Sequence, residues 1–455
     1  FQALSPPLQQ SARPELEQDV MTLEPRKPVE RELSGEQKHG YQLALAEGQY
    51  ARVVVEQRGI DLTVQLLGTD GKSIADFDVE IRIQGEEKIE VVSAAAGSYR
   101  LLVKARYPKL PAGRYEIRLI EARNATEEDR LLYEARRLEM ASRQLWGAGK
   151  YAEALPPGEK ALEMQERRWG TEHPELTYPL LNLAAINYFK GDYAKAQALC
   201  LRALTIAEKA LGPEHWWVAR LLHNLAAFYI PMEGGEARAE PLYQRAVAIL
   251  EKALGPDHPL VATSLSELAR IYRNRGDFVR TEQLLQRALT VHEKALGEEH
   301  SSLASTLNNL AGLYREKGDN AKAEQLYRRV LAIWEKTNPP YVAVALNNLA
   351  QVYSEMGDYE RAEPLFERAI SIKEKSLGPN HADVANSRGS LARMYYRRGD
   401  YAKAETLYQS ALATMEKALG PNHQTVGLYL AILANLYFTT ADYAKAEPLY
   451  HRALS

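Results

Sequence analysis

The 455-residue chain has a single cysteine, no long apolar run and almost no net charge. One thiol, Cys200, excludes an intrachain disulfide and any metal site built from several cysteines; its apolar, helical surroundings mark a small core residue. No stretch approaches the roughly 18 to 20 apolar residues that a membrane helix requires, so no membrane span is expected. A formal charge of -3 supplies no global attraction to nucleic acid or acidic membranes. Catalytic signatures are missing too: there is no G-x-S-x-G, no H-E-x-x-H and no glycine-rich phosphate loop. "GTDGKS" at Gly68 to Ser73 is not one, because a Walker loop needs glycine where Leu66 stands; Asp70-Gly71 reads as a hairpin turn. These absences direct expectation away from an enzyme and from any cofactor.

What is present falls into three regions. Residues 1–31 are rich in Pro, Gln and Glu without a sustained period and are expected to form an extended arm. Residues 32–122 alternate with period 2 (Tyr41, Leu43, Leu45; Val53, Val55; Leu62, Val64, Leu66; Val79, Ile81, Ile83; Tyr99, Leu101, Val103; Tyr115, Ile117, Leu119). Half-buried strands with glycine turns predict an antiparallel β-sandwich of about seven strands. Asp61, Asp70, Asp76 and Asp78 are oxygen donors within it, read as scattered surface aspartates rather than a calcium site.

From about residue 126 to 455 the sequence repeats. Gly149, Gly191, Gly234, Gly276, Gly318, Gly357, Gly399 and Ala441 recur at steps of 42, 43, 42, 42, 39, 42 and 42 residues. Each unit reads as two helices, as in "NNLAGLYREKGDNAKAEQLYRRVLAIWEK". Gly318 suits a left-handed helix end and Asp319 the next N-cap. Ala441 should adopt the same left-handed conformation at a cost of about 1 to 2 kcal/mol. Six of the ten histidines (His173, His215, His258, His300, His381, His423) share one register position, mostly within an "LGPNH"-like joint. Successive units hold them too far apart to share a metal ion, so no metal site is expected; at the joint Gly378 ends one helix, Pro379 prevents its continuation, and Asn380 or His381 can accept or donate at the start of the next. The fifth joint reads "TNPPY" instead, which predicts a local irregularity near Pro339. Pro156 and Pro157 put the second helix of the first unit in question.

The motifs "LNNLAGLY", "GDYAKAE" and "LGPNH" resemble the tetratricopeptide repeat of the 42-residue, kinesin-light-chain type, over about 330 residues. "LALAEGQYARVVVEQRGIDLTVQLLGTDGKSIAD", "AAGSYRLLV" and "PAGRYEIRL" resemble the bacterial pre-peptidase C-terminal domain. Together they imply a multidomain chain: an N-terminal antiparallel β-sandwich, then an all-α right-handed superhelix, or α-solenoid, with about seven clear repeats and one degenerate first repeat. The resemblance places a partner segment on the concave wall of first helices, at Asn182, Asn224, Arg270, Arg273, Asn308, Asn309, Arg315, Asn347, Asn348 and Arg393. Glu267, Ser390 and Ile432 interrupt the asparagine pattern. Asparagine pairs with peptide backbone and arginine with carboxylates, so an extended or acidic protein segment is the expected partner.

Two other readings stay open. One is head-to-tail self-assembly of copies through exposed repeat faces; the other is a regulatory arm of a larger CHAT-type peptidase. A start at Phe1 and the sandwich resemblance point to a processed, secreted or cell-surface bacterial protein, with a cytoplasmic one as the alternative.

Overall fold

A computed structural model describes residues 18–77, 84–107 and 112–454. Among the described residues nine strands form two sheets: β1 Gln18–Thr22, β2 Val29–Leu33, β3 Lys38–Leu45, β4 Gln49–Arg58, β5 Leu62–Leu67, β6 Ser73–Phe77, β7 Gln84–Val92, β8 Gly97–Ala105 and β9 Gly113–Asn124. One sheet has the order β1-β3-β8-β5-β6 and the other β2-β9-β4-β7. The alternation works as expected: Tyr41, Leu43, Val53, Val55, Leu62, Leu66, Leu101 and Ile117 all turn into the shared core. The stretch Val79 to Ile83 lies outside the described residues. The first sheet begins earlier than its pattern suggests, since β1, inside the expected arm, pairs parallel with β3 (Met21 opposite Tyr41). An edge strand carries only one hydrogen-bonded neighbour and need not alternate strictly, which is why period 2 misses it.

Gly71, at φ 75°, makes the turn between β5 and β6, and Asp70 Oδ1 accepts from the Lys72 N–H at 3.0 Å. Asp61 is buried rather than on the surface, with Arg106 3.9 Å away. Among the described residues no three potential ligands gather around a common point.

Sixteen helices follow. First helices of the units are α1 Glu127–Gly147, α3 Thr177–Lys190, α5 Trp216–Tyr229, α7 Pro259–Asn274, α9 Ser301–Glu316, α11 Pro339–Glu355, α13 Ala382–Arg398 and α15 Gln424–Thr439. Second helices are α2 Tyr151–Trp169, α4 Tyr193–Leu211, α6 Gly235–Leu254, α8 Phe278–Leu296, α10 Asn320–Thr337, α12 Tyr359–Leu377, α14 Tyr401–Leu419 and α16 Tyr443–Leu454. The chain divides into two compact units, Phe1–Ile271 with Thr290–Gly297, and Tyr272–Leu289 with Glu298–Ser455.

The joints are built as their residues dictate. At each of the six histidines Nδ1 accepts from the backbone N–H two residues on, for example Asp383 to His381 at 3.1 Å and Thr425 to His423 at 3.1 Å. Each imidazole therefore satisfies an N–H that the helix start leaves unpaired. The fifth joint is shorter. Between α10 and α11 stands only Asn338, whereas Gly378 to His381 separate α12 from α13; the three missing residues account for the step of 39. Pro339 opens α11, where its absent N–H costs nothing. Ala441 keeps the left-handed conformation of the glycines it replaces, at φ 59°.

The second helix of the first unit is intact, contrary to the reading of its prolines. Pro156 occupies the register position of Pro241, Pro364 and Pro448, each inside its own helix. The carbonyls four residues earlier belong to exposed residues (Ala152, Ala237, Glu360, Ala444), where solvent can take the place of the N–H that proline lacks.

In the first unit the sandwich seats on α1 through Tyr50, Val92, Ala125 and Tyr133. Arg136 bonds the Glu90 carboxylate at 2.8 Å and its carbonyl at 3.1 Å, and Tyr50 donates to the same carboxylate at 2.8 Å. The second unit has a tyrosine at one first-helix position that reaches back to a glutamate of the preceding second helix: Tyr314 to Glu282 at 2.7 Å, Tyr353 to Glu324 at 2.9 Å, Tyr395 to Glu363 at 2.5 Å and Tyr437 to Glu405 at 2.6 Å. A cation from the following helix caps each ring, such as Lys403 4.8 Å above Tyr395 and Lys445 4.9 Å above Tyr437.

Candidate partner-binding face

Two register positions dominate the first helices. Three residues before the buried small residue stand Glu139, Leu181, His223, Ser266, Asn308, Asn347, Gly389 and Ala431; the next residue along gives Met140, Asn182, Asn224, Glu267, Asn309, Asn348, Ser390 and Ile432. Where the chemistry permits, the later residue of one unit bonds the earlier residue of the unit before. Asn182 donates to Glu139 Oε1 at 3.1 Å, and Asn348 donates to Asn308 Oδ1 at 2.9 Å. These carboxamides are engaged with the protein itself.

At other steps the ladder is interrupted. Asn224 stands one repeat step from Leu181, which offers no acceptor. It is fully buried, its amide turns back to the Arg220 carbonyl at 2.9 Å, and its Oδ1 has no partner. Asn347 stands one step before Ser390, whose hydroxyl instead bonds the Asn386 carbonyl at 3.1 Å; Asn347 Oδ1 is likewise buried and unpaired. Asn309 is half-buried on α9 and has no hydrogen bond among the described residues.

Around Asn224 the first unit gathers a polar cluster. His223 Nδ1 lies 3.0 Å from Ser264 Oγ, and its ring stands edge-on to Tyr243, 5.2 Å between centroids. Burial pushes the His223 imidazole down to about 4, so it is neutral at physiological pH. Arg270 bonds Glu267 at 3.2 Å and leaves Nη2 buried without a partner, as is the Tyr243 hydroxyl. Burial pushes the Glu267 carboxyl up, but positive charge, that of Arg270 included, outweighs it and holds the group below the usual carboxylate range. Beside the cluster, Arg143, Tyr178, Trp217 and Arg220 form a cation-and-ring row: Tyr178 stacks on Trp217 at 6.0 Å, and the arginines cover the two outer faces at 5.7 and 5.2 Å.

In the second unit the arginines differ in how far they are neutralised. Arg315 bonds Gln351 at 2.5 Å and lies 3.4 Å from Glu355, with its Nε buried and unpaired. Arg273 lies over Gly312, 3.7 Å from Glu316. Both charges lower the pKa that burial raises on Tyr327 to about 12. Arg393, by contrast, is exposed, with no carboxylate within ion-pair distance among the described residues.

The expected site residues therefore separate into engaged ones (Asn182, Asn308, Asn348, and Arg270, Arg273 and Arg315 with their carboxylates), one shut inside the fold (Asn224), and ones that a partner can reach (Asn309 and Asn347, half-buried, and Arg393, exposed). Sequence reasoning missed Glu139, His223, Tyr243, Gln351 and Glu355 as participants. Glu139, Gln351 and Glu355 each meet an expected site residue of a neighbouring unit about one repeat length away, while His223 is the sequence neighbour of Asn224 and Tyr243 packs on it from the second helix.

Models of the tetratricopeptide repeat match residues 135–175, 176–230, 232–280, 265–336, 341–417 and 390–455. The chain belongs to the tetratricopeptide repeat family. Solved structures similar to it include BtubC (BKLC) from P. vanneervenii, 25% identical over 56% of this chain and 94% of that one, with a TM-score of 0.41. A putative kinesin light chain of Podosopora anserina with nearly identical TPR-like repeats is 31% identical, covering 45% of this chain and 98% of that one, TM-score 0.39. The apo quorum sensor NprR from B. thuringiensis shares the fold at 13% identity, covering 72% and 88%, TM-score 0.54. Among curated proteins, the human clustered mitochondria protein homolog is 33% identical over 88 residues, and the match spans 19% of this repeat chain and 7% of that relative.

Proposed function

We propose that this tetratricopeptide repeat chain is a non-enzymatic scaffold that holds an extended protein segment against its first helices. The observation that carries the reading is the interrupted ladder: Asn347, half-buried on α11, has a carboxamide oxygen that no described residue satisfies, and Asn309, half-buried on α9, has no hydrogen bond among the described residues. An unpaired buried acceptor costs about 1 to 3 kcal/mol, and a backbone N–H of a bound segment recovers it. Extended segments present such donors at regular intervals and need no particular side chain there. The sandwich, seated on α1, presents a second surface beside the first repeat.

The test is a peptide array of ten-residue segments probed with the full chain, followed by titration of the peptides that bind. Asn347→Ala should weaken those peptides about tenfold, while Asn182→Ala, whose amide is already engaged, should change affinity less than threefold. If no peptide binds, or if Asn182→Ala is as harmful as Asn347→Ala, the reading fails.

Self-association is a second reading, supported by the exposed apolar side chains of α15 and α16: Leu428, Phe438 and Tyr443 are each nearly 60% exposed. Sedimentation of a Leu428→Ser/Phe438→Ser variant would separate them, because partner binding at Asn347 survives that change and assembly does not.

A further inference from the structure

Of the six histidines that cap the joints, five are exposed or half-buried; His258, between α6 and α7, is only 9% exposed. Its capping bond does not explain the difference, since His258 Nδ1 accepts from the Leu260 N–H at 3.2 Å just as the other five accept two residues on. The difference comes from the sandwich. Tyr107, two residues beyond β8, stands edge-on to the His258 imidazole with 5.5 Å between ring centroids. The sandwich thus meets the solenoid twice, on α1 and again at the joint that follows α6.

Tyr107 is positioned for this contact from its own domain. Arg106 Nε donates to Tyr107 Oη at 3.3 Å, and the guanidinium lies 5.7 Å from the centre of the tyrosine ring. Arg106 is tied in turn to Asp61, the residue before β5: its N–H donates to the Asp61 carbonyl at 2.9 Å, and its side chain stands 3.9 Å from the buried carboxylate. The two attachments are unequal. At α1 the sandwich buries Tyr50, Val92 and Ala125, and Arg136 grips Glu90 through both its carboxylate and its carbonyl. At the joint one half-buried tyrosine edge meets one imidazole.

In a repeat array each repeat packs on its neighbours, and curvature accumulates from small rotations between them. A body fastened at α1 and again after α6 spans three repeats and fixes the sum of those rotations. We propose that the sandwich is a brace on the first three repeats, and that Tyr107 on His258 is its releasable latch. With the latch closed, the sandwich and α1 to α6 hold one curvature; with it open, the sandwich stays on α1 and the repeats relax. The latch opens first because an edge-on ring pair is a small attachment beside a buried apolar seat with charged hydrogen bonds. This device is independent of what the first helices bind.

The test opens the latch from either side in the full chain. Tyr107→Ala removes the ring from the sandwich; His258→Asn removes it from the joint while keeping a capping oxygen and leaving the sandwich untouched. Hydrogen exchange at the start of α7 should rise at least about tenfold in both variants, whereas His381→Asn, the same change at an exposed joint, should alter its own joint less than about twofold. Tyr107→Phe keeps the ring edge and should behave as the parent. Spin labels report the geometry, because Cys200 is buried and leaves introduced cysteines as the labelled sites. Exposed Lys104 and Ala253 span the latch, and exposed Lys160 and Ala253 span the braced repeats. With each pair changed to cysteine, double electron–electron resonance should give one narrow distance in the parent and a broader, longer distribution with Tyr107→Ala or His258→Asn. Unchanged exchange and distances in both variants overturn the latch. A broadened Lys104 pair with an unchanged Lys160 pair overturns the brace, and so does a Tyr107→Phe protein as loosened as Tyr107→Ala.

Discussion

Gly312 and Gly389 are both interior helical glycines on first helices, and adding one methyl group to each should move stability in opposite directions. In a helix interior, replacing glycine by alanine gains about 1 kcal/mol from backbone entropy. What the new Cβ meets decides the sign. At Gly312 it approaches Arg273 Nη1 at 2.9 Å, the far end of a long side chain whose ion pair with Glu316 is partly exposed and loose at 3.7 Å. Such a pair contributes about 0 to 1 kcal/mol, and the guanidinium can swing aside. Gly312→Ala should therefore be neutral or stabilising by up to about 1 kcal/mol.

At Gly389 the Cβ meets Tyr429 instead: Oη at 2.5 Å, Cε1 at 3.0 Å and Cζ at 3.1 Å. That ring is 6% exposed, and its hydroxyl reaches the Ala385 carbonyl at 3.2 Å and Asn386 Oδ1 at 3.3 Å. Overpacking a rigid buried ring costs about 1 to 3 kcal/mol, and displacing the hydroxyl loses about 1 more. After the helical gain, Gly389→Ala should lose about 1 to 3 kcal/mol. Urea unfolding by circular dichroism should give a midpoint unchanged or raised for Gly312→Ala and lowered for Gly389→Ala, with hydrogen exchange placing the Gly389 effect in α13 and α15. Tyr429→Phe removes the closest of the three contacts, so the double variant should recover part of the loss and the cycle should be non-additive. A Gly389→Ala protein as stable as Gly312→Ala would refute the packing argument.

Ala441→Gly should stabilise the last unit by about 0.5 to 1 kcal/mol, the left-handed penalty less the added unfolded-state entropy, seen as a raised urea midpoint. Tyr395→Phe should cost about 1 kcal/mol by removing the 2.5 Å bond to Glu363, and hydrogen exchange should rise along α12 and α13 only. The first unit should lose stability as pH falls from about 6.5 toward 4, because His223 and His258 are both held down to about 4 by burial and the unfolded chain takes up their protons first. A melting series on His223→Gln should show a shallower loss across that window, and an unchanged slope would contradict it. At lower pH, Asp129, held at about 2 by Arg123 and its own N-terminal cap, should contribute a further loss between about 4 and 2 that Asp129→Asn removes.

Much of this architecture is legible in the residues. Period 2 places Tyr41, Leu43 and Leu45 in the sandwich core, and the 42-residue ruler places each helix pair, the histidine caps and the strained Ala441. What escapes is either local and unpatterned or defined only across units. β1 belongs to the first kind: a single parallel neighbour does not require alternation. Pro156 escapes because proline looks disruptive alone and proves harmless only when aligned with Pro241, Pro364 and Pro448. The pairing of Arg315 with Glu355 escapes because its partner is 40 residues away, visible once the chain has folded into register. The same is true of Asn348 with Asn308. Reading a wall of asparagines and arginines as available overlooks that a repeat protein brings like residues together and lets them satisfy one another.

That last point also tells where a repeat surface can acquire specificity. If every unit were identical, each polar group on a first helix would find the same neighbour, and the wall would be saturated and indifferent to partners. Ser390 leaves the half-buried Asn347 unanswered, and the charge-free α15 leaves the exposed Arg393 and Arg397 without a carboxylate. Each opening arises from a substitution on the neighbouring helix, not at the residue that would touch a ligand. Restoring the repeat should therefore close the site without altering the contact residue itself. Ser390→Asn would place a donor one step from Asn347 as Asn348 stands from Asn308, and peptides that depend on Asn347 should then lose about tenfold in affinity while stability holds or rises. Undiminished binding by that variant would show that the unpaired Asn347 oxygen is not what the partner uses.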